Sequence, residues 1–196
     1  MKKYKKIAIT GGIGSGKSLA TDTLKAAGYF TLSSDEIVSE LYEKKEVRKI
    51  LKSIFPTAVG NAPDFSIDRK AVAKITFSDK EKHKELTQAI TPLVFDEIEK
   101  RSRNNAATTV VEVPLLFECD YQNNFDSVLV ITREKEARIQ SVITRSNLSR
   151  EEILSRMSNQ VDYDTLDLTP FIVIKNDCDK ETFKQKVLIA IKNLTK

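Results

Sequence analysis

Residues 7–18 read Ile7-Ala8-Ile9-Thr10-Gly11-Gly12-Ile13-Gly14-Ser15-Gly16-Lys17-Ser18. A short β-prone run ends at Gly11, and a Gly-Lys-Ser triplet closes the stretch. Gly11, Gly16, Lys17 and Ser18 meet the spacing of a glycine, four residues, then Gly-Lys-Ser. Each residue type in that pattern has a task. Glycines let a backbone wrap closely and turn its N–H groups toward phosphate oxygens. A helix opening at Lys17 adds the positive end of its dipole. The Lys17 ammonium neutralises β- and γ-phosphate oxygens, and the Ser18 hydroxyl suits Mg²⁺. The stretch therefore implies a nucleoside triphosphate, ATP, contacted by Gly12, Ile13, Gly14, Ser15, Gly16, Lys17, Ser18 and Leu19.

Outward from the loop, strands alternate with helices. A strand is expected over 7–10 and a helix over 18–27, with Leu19, Thr23, Leu24 and Ala27 facing inward and Gly28 as the stop. A second strand spans 29–32. Ser33 and Glu36 have capping-box spacing, and a helix follows with Ile37, Val38 and Leu41 inward. Residues 44–105 read as largely helical around one loop, 56–63. Strands follow at 108–113, 127–132 and 171–174, with a helix over 134–146 and a second from a Ser149/Glu152 capping box to about 160. A C-terminal helix ends the chain. The alternation implies a parallel sheet covered on both faces, with ligands at the carboxyl ends of its strands.

Several function classes are excluded. The net charge of +4 over 196 residues is too weak and too scattered to point to nucleic acid. Two cysteines in unrelated contexts and a single histidine, His83, make no zinc site. The basic start, Met1 to Lys6, precedes an apolar run too short for a signal peptide. No apolar run approaches membrane-spanning length, so the expected compartment is the cytoplasm and no membrane partner is expected. A regulatory GTPase would carry Asn-Lys-x-Asp and Asp-x-x-Gly; Lys175-Asn176-Asp177 has the wrong order.

Two carboxylates outside the loop have positions of interest. Asp35 follows the second strand at the start of a helix. There it can orient an acceptor hydroxyl and take its proton, or simply favour the helix N-terminus. Glu112 ends an apolar strand, where it can approach Mg²⁺ or stand exposed.

Thr10 to Ser18 resembles the opening of dephospho-CoA kinases, and so does Val113-Pro114-Leu115-Leu116-Phe117-Glu118. Asp35, Asp68-Arg69, Phe77 with Asp79, and Arg145 with Gln160 match further family positions. The likeness covers nearly the whole chain. It implies an α/β P-loop NTPase fold, three layers αβα, with a five-stranded parallel sheet. The core would comprise about 1–35, 106–133 and 166–196. A helical acceptor-side insert would span about 36–105, and a lid about 134–165. The implied reaction is phosphorylation of the ribose 3′-hydroxyl of dephospho-CoA by MgATP. Lys17, Asp35 and Arg145 would be catalytic, with Arg145 closing on the transferring phosphoryl unless it is a solvated helix charge. Ser18 and Glu112 would hold Mg²⁺. Asp68, Arg69 and Glu118 would face the acceptor, although Asp68 can equally cap a helix. The sequence departs from the family pattern at Ser33, Thr91 and Ser141, the last standing where a lid arginine is expected four residues before Arg145. The competing functions are another small-molecule or nucleoside monophosphate kinase, or a non-catalytic ATP-binding regulator. A monomer or weak homo-oligomer is expected.

Overall fold

Residues 4–146 and 148–195 are described by the computed structural model; the reading of Met1 to Lys3 lies outside them. Five strands form one sheet: β1 (Lys5–Thr10), β2 (Phe30–Ser33), β3 (Thr108–Glu112), β4 (Ser127–Thr132) and β5 (Ile172–Lys175). Their order is β2-β3-β1-β4-β5, and every neighbouring pair is parallel. The chain leaves β1 toward one edge of the sheet and β4 toward the other. The crevice between β1 and β4 is thus the switch point at which open α/β sheets take ligands, and the glycine-rich loop leaves β1 there.

Among the described residues there are eight α-helices. They are α1 (Lys17–Ala26), α2 (Ser34–Leu41), α3 (Lys45–Ile54), α4 (Arg69–Ser78), α5 (Lys80–Asn105), α6 (Lys135–Arg145), α7 (Arg150–Met157) and α8 (Lys180–Thr195). Alternation along the strands splits the buried side chains between two faces. On one face Ile7, Ile9, Val110, Leu129, Ile131 and Ile174 pack with Ala20 and Leu24 of α1 and with Phe183, Val187 and Ile191 of α8. The alternate residues Ala8, Val111, Val128 and Val130 are buried as well, as a parallel sheet covered on both faces requires.

The expected inward face of α1 is corrected by the structure. Lys17, Ala20, Thr21 and Leu24 are buried, whereas Thr23 is half-buried and Ala27 exposed. The reason is the helix start. Lys17 must turn into the loop, and the positions three, four and seven residues later turn inward with it. Leu19 lies to the side, half-buried against the same core. The expected loop over 56–63 is longer than read, running from the end of α3 at Ile54 to the start of α4 at Arg69, and the remaining boundaries move by up to about three residues. β5 begins one residue later than expected, and α7 stops at Met157, its Ser149/Glu152 capping box formed as read.

The chain divides into two compact units, residues 34–100 and residues 1–33 with 101–196. The first contains α2, α3, α4 and most of α5, with its own buried set including Ile37, Leu51, Phe55, Val94 and Ile98. Arg69 there donates to Glu43 Oε1 at 2.9 Å and stands over the Tyr42 ring, while Arg48 pairs with the same glutamate.

Leu24 is fully buried between α1 and the sheet. Leu24→Ala is expected to cost about 3 kcal/mol, the usual range for a leucine deleted from a packed core. Urea denaturation should show a lower midpoint at unchanged slope.

Candidate active site

The phosphate loop is built by contacts that only glycine permits. Gly14 has φ 77°, and a Cβ there would strike the Arg138 carbonyl oxygen. At Gly12 the obstacle is a side chain: an added Cβ would collide with Arg138 Nη1. The guanidinium therefore lies directly on the loop. Gly16 ends the loop in a left-handed conformation, and no side chain caps α1. The first-turn N–H groups of α1, Leu19 included, are left without an intrahelical partner, which is the arrangement that receives an anion.

Lys17 is only 9% exposed. Its ammonium donates to the carbonyls of Gly11 at 2.7 Å and Gly12 at 3.2 Å. Ser18 Oγ donates to Glu112 Oε1 at 3.1 Å. Register explains the pair, because Glu112 stands beside Ile9 on β1 and beside Ser33 on β2. The last turns of β3 and the first turn of α1 thus face each other across the end of the sheet. Sequence reasoning paired Ser18 with Glu112, and the structure puts the two side chains in hydrogen-bond contact.

Three groups behind the loop were not singled out as contacts to it. Asn176, buried just past β5, donates its amide to the Ser15 carbonyl at 2.8 Å. Gln160 Oε1 accepts the Ile13 N–H at 2.7 Å. Tyr163, 7% exposed, has its hydroxyl 3.2 Å from Thr10 Oγ1. Burial pushes the Tyr163 phenol up to about 12, with Glu118 adding to the shift; the Thr10 hydroxyl and the Gly11 backbone, which favour the phenolate, only partly offset it. The Phe117 ring meets Tyr163 edge-on at 6.0 Å. Glu118 Oε1 accepts the Val161 N–H at 2.9 Å, and its buried Oε2 has no hydrogen-bond partner.

Helices α6 and α7 form a pair around Ile139, Val142 and Ile153, against which Ile13 of the loop packs. A fork of two hydrogen bonds from Arg150 to Glu136, 2.9 and 2.6 Å long, ties the two helix starts. Arg145 is exposed in the last turn of α6. Ser141 leaves no arginine one turn before it, but Arg138 is two turns before Arg145 on the same helix face and is the one seated on the loop. Arg138 and Arg133 each have a buried Nε without a partner. Buried guanidinium N–H groups are costly unless an anion completes them. Together with the open helix start and the loop amides, they fit a polyphosphate.

Asp35, Asp68 and Arg69 belong to the unit of residues 34–100. Asp35 is the second residue of α2 and is exposed. Asp68 caps α4, accepting from the N–H groups of Lys70 and Ala71. Among the described residues no three His, Cys, Asp or Glu side chains cluster as a metal cage. Mg²⁺ in nucleotide sites is commonly held by one or two side chains plus phosphates, and Ser18 with Glu112 offers hard oxygens of that kind.

The sequence profile of the dephospho-CoA kinase family matches residues 5–181. The chain belongs to the dephospho-CoA kinase family. A dephospho-CoA kinase from Thermus thermophilus is 34% identical over 190 residues, covering 96% of this chain and 91% of the relative. One from Dehalococcoides mccartyi is 31% identical over 190 residues, covering 95% and 96%. A crystal structure from Thermus thermophilus superposes with a TM-score of 0.83 at 34% identity over 98% of each chain. That of dephospho-CoA kinase from Campylobacter jejuni gives 0.71 at 25% identity, again over 98% of each. A shikimate kinase from Acinetobacter baumannii, at 16% identity and a TM-score of 0.58 over 100% of this chain and 97% of that one, shares the fold. The five-stranded parallel P-loop kinase fold implied by the resemblance is the one observed. No helix among the described residues is long and apolar enough to cross a membrane.

Members of the dephospho-CoA kinase family use ATP as phosphoryl donor, and in this chain the Arg138 guanidinium lies against the loop at Gly12. Arg138→Ala is expected to weaken ATP binding at least tenfold, the scale of one lost charge-assisted contact. Isothermal titration with ATP measures it directly.

Proposed function

We propose that this chain transfers the γ-phosphoryl group of ATP to the ribose 3′-hydroxyl of dephospho-CoA, giving CoA and ADP. The observation that carries the reading is the assembled donor site: Lys17 and the open start of α1 on one side, Arg138 on the other, in a chain of this family.

The loop amides and Lys17 hold the β- and γ-phosphates, so the negative charge that builds on the leaving oxygen is met as it forms. Ser18 and Glu112 would hold Mg²⁺, which would supply positive charge to neutralise the phosphate oxygens. Asp35, two residues beyond the end of β2, orients the 3′-hydroxyl and takes its proton as the oxygen attacks phosphorus. The bond from phosphorus to the β–γ bridging oxygen breaks and ADP leaves. Arg145, at the exposed end of α6, moves in to neutralise the transferring phosphoryl, with α6 and α7 serving as the lid that excludes water. Asp68 and Arg69, and separately Glu118, are the residues that the family resemblance gives to the acceptor. Arg69 reaches that role by way of Glu43, which positions its guanidinium.

Incubation with MgATP and dephospho-CoA should yield stoichiometric ADP and CoA. Turnover on a nucleoside monophosphate with none on dephospho-CoA would sink the reading. Asp35→Asn is expected to lower kcat at least a hundredfold, the usual worth of a positioned base. Lys17→Ala should cost a comparable factor in kcat/KM, because it removes both the charge on the phosphates and the pins to Gly11 and Gly12.

A further inference from the structure

The four residues Gln160-Val161-Asp162-Tyr163 are fastened from three directions. Gln160 accepts the Ile13 N–H, Tyr163 meets the Thr10 hydroxyl, and the Val161 N–H donates to Glu118. These partners are far apart in sequence, with separations of 147, 153 and 43 positions. The bonds to Thr10 and Ile13 bracket Gly11 and Gly12, and it is on the carbonyls of these two glycines that the Lys17 ammonium sits. Ile13 is held on its other side as well, its side chain packed against the cluster of Ile139, Val142 and Ile153. Two glycines in succession cannot fix their own carbonyl directions, because nothing in glycine restricts φ and ψ. The direction has to be imposed from the flanks.

We propose that Gln160 and Tyr163 are positioning residues for phosphoryl transfer, clamping Thr10 and Ile13 so that the Gly11 and Gly12 carbonyls hold the Lys17 ammonium in its working place. The proposal rests on the phosphoryl-transfer reading above. Neither side chain needs to touch substrate. Their effect is exerted through Lys17, whose interaction with the phosphates strengthens as charge moves to the leaving oxygen. A misplaced ammonium by this argument still attracts the ground-state nucleotide but serves the transition state less well, so the loss falls on kcat rather than on KM. The Tyr163 ring contributes through its hydroxyl, since its packing on Phe117 survives removal of that oxygen.

The test uses the full chain carrying Gln160→Met, which keeps the length and loses the acceptor, or Tyr163→Phe, which keeps the ring and loses the hydroxyl. Steady-state rates are measured with MgATP and dephospho-CoA, and again as slow MgATP hydrolysis without acceptor. In each variant kcat is expected to fall about tenfold, the scale of one hydrogen bond, while KM for ATP moves less than about threefold. The thermal midpoint should stay within about 3 °C of the parent. An unchanged kcat in both variants overturns the proposal, and so does a loss carried by KM alone. A fall in kcat accompanied by collapse of the thermal midpoint in both variants also overturns it, because the bonds would then be structural. If the parent chain hydrolyses MgATP but makes no CoA, the acceptor assignment fails, and the hydrolysis rates alone decide the positioning role.

Discussion

A buried ammonium must be surrounded by oxygen, and the architecture around the phosphate loop follows from giving Lys17 that surrounding. Its two carbonyl partners come from the loop itself. The loop must therefore curl back on the helix it precedes, which requires glycine where it meets Arg138 and a left-handed residue at Gly16. The curl in turn leaves the first amides of α1 pointing outward. The same geometry fixes the phase of α1, sends Ala20 and Leu24 into the core, and so joins the site to the sheet.

Strand and helix types were legible from local pattern, because a parallel sheet leaves short apolar runs such as Val110-Val111 and Val128 to Ile131 bounded by polar or turn residues. The phosphate loop was legible for a different reason: its spacing is dictated by ligand geometry, not by packing. The inward face of α1 was read from hydrophobicity correctly at Leu24 and Leu19, but Lys17, Ala20 and Thr21 were missed and Ala27 proved exposed. The competing constraint was the lysine's need for carbonyls, which turns a charged residue inward and carries the helix round with it. Gln160 matches a family position by resemblance, but its contact to the loop, and those of Tyr163 and Arg138, could not be found in this way. Their partners lie more than a hundred positions away, and no local period records such a contact. Two weak signals existed: the density of arginine over 133–156, and a glutamine shortly after the capped helix. The structure shows that the arginine on the loop is Arg138, one turn before the position where the family pattern expects one and Ser141 stands.

The division of labour within the site follows chain order. Residues 10–18 supply backbone amides and the ammonium, β3 supplies Glu112, and the segment from 133 to 163 supplies guanidinium groups and clamps. None of these pieces has the chemistry alone. Backbone amides give direction without much charge, and arginines give charge without a fixed place until something holds them. Arg138 has that place because the glycines beneath it have no side chain.

The reach of these contacts has a consequence for how the protein comes into being. The loop is synthesised well before its brace, because the bond from Asn176 to the Ser15 carbonyl spans 161 positions. At ordinary elongation rates of about 5–20 residues per second, the nascent chain carries the loop for roughly ten to thirty seconds before that brace exists. Throughout that interval β1 also lacks its neighbours β3 and β4 for much of the time, and the two-glycine turn has nothing to hold its carbonyls. The bracing of the loop is thus completed long after its own residues are made. A ribosome stalled before residue 160 would display the complete motif without the bonds from Gln160, Tyr163 and Asn176 that hold the loop.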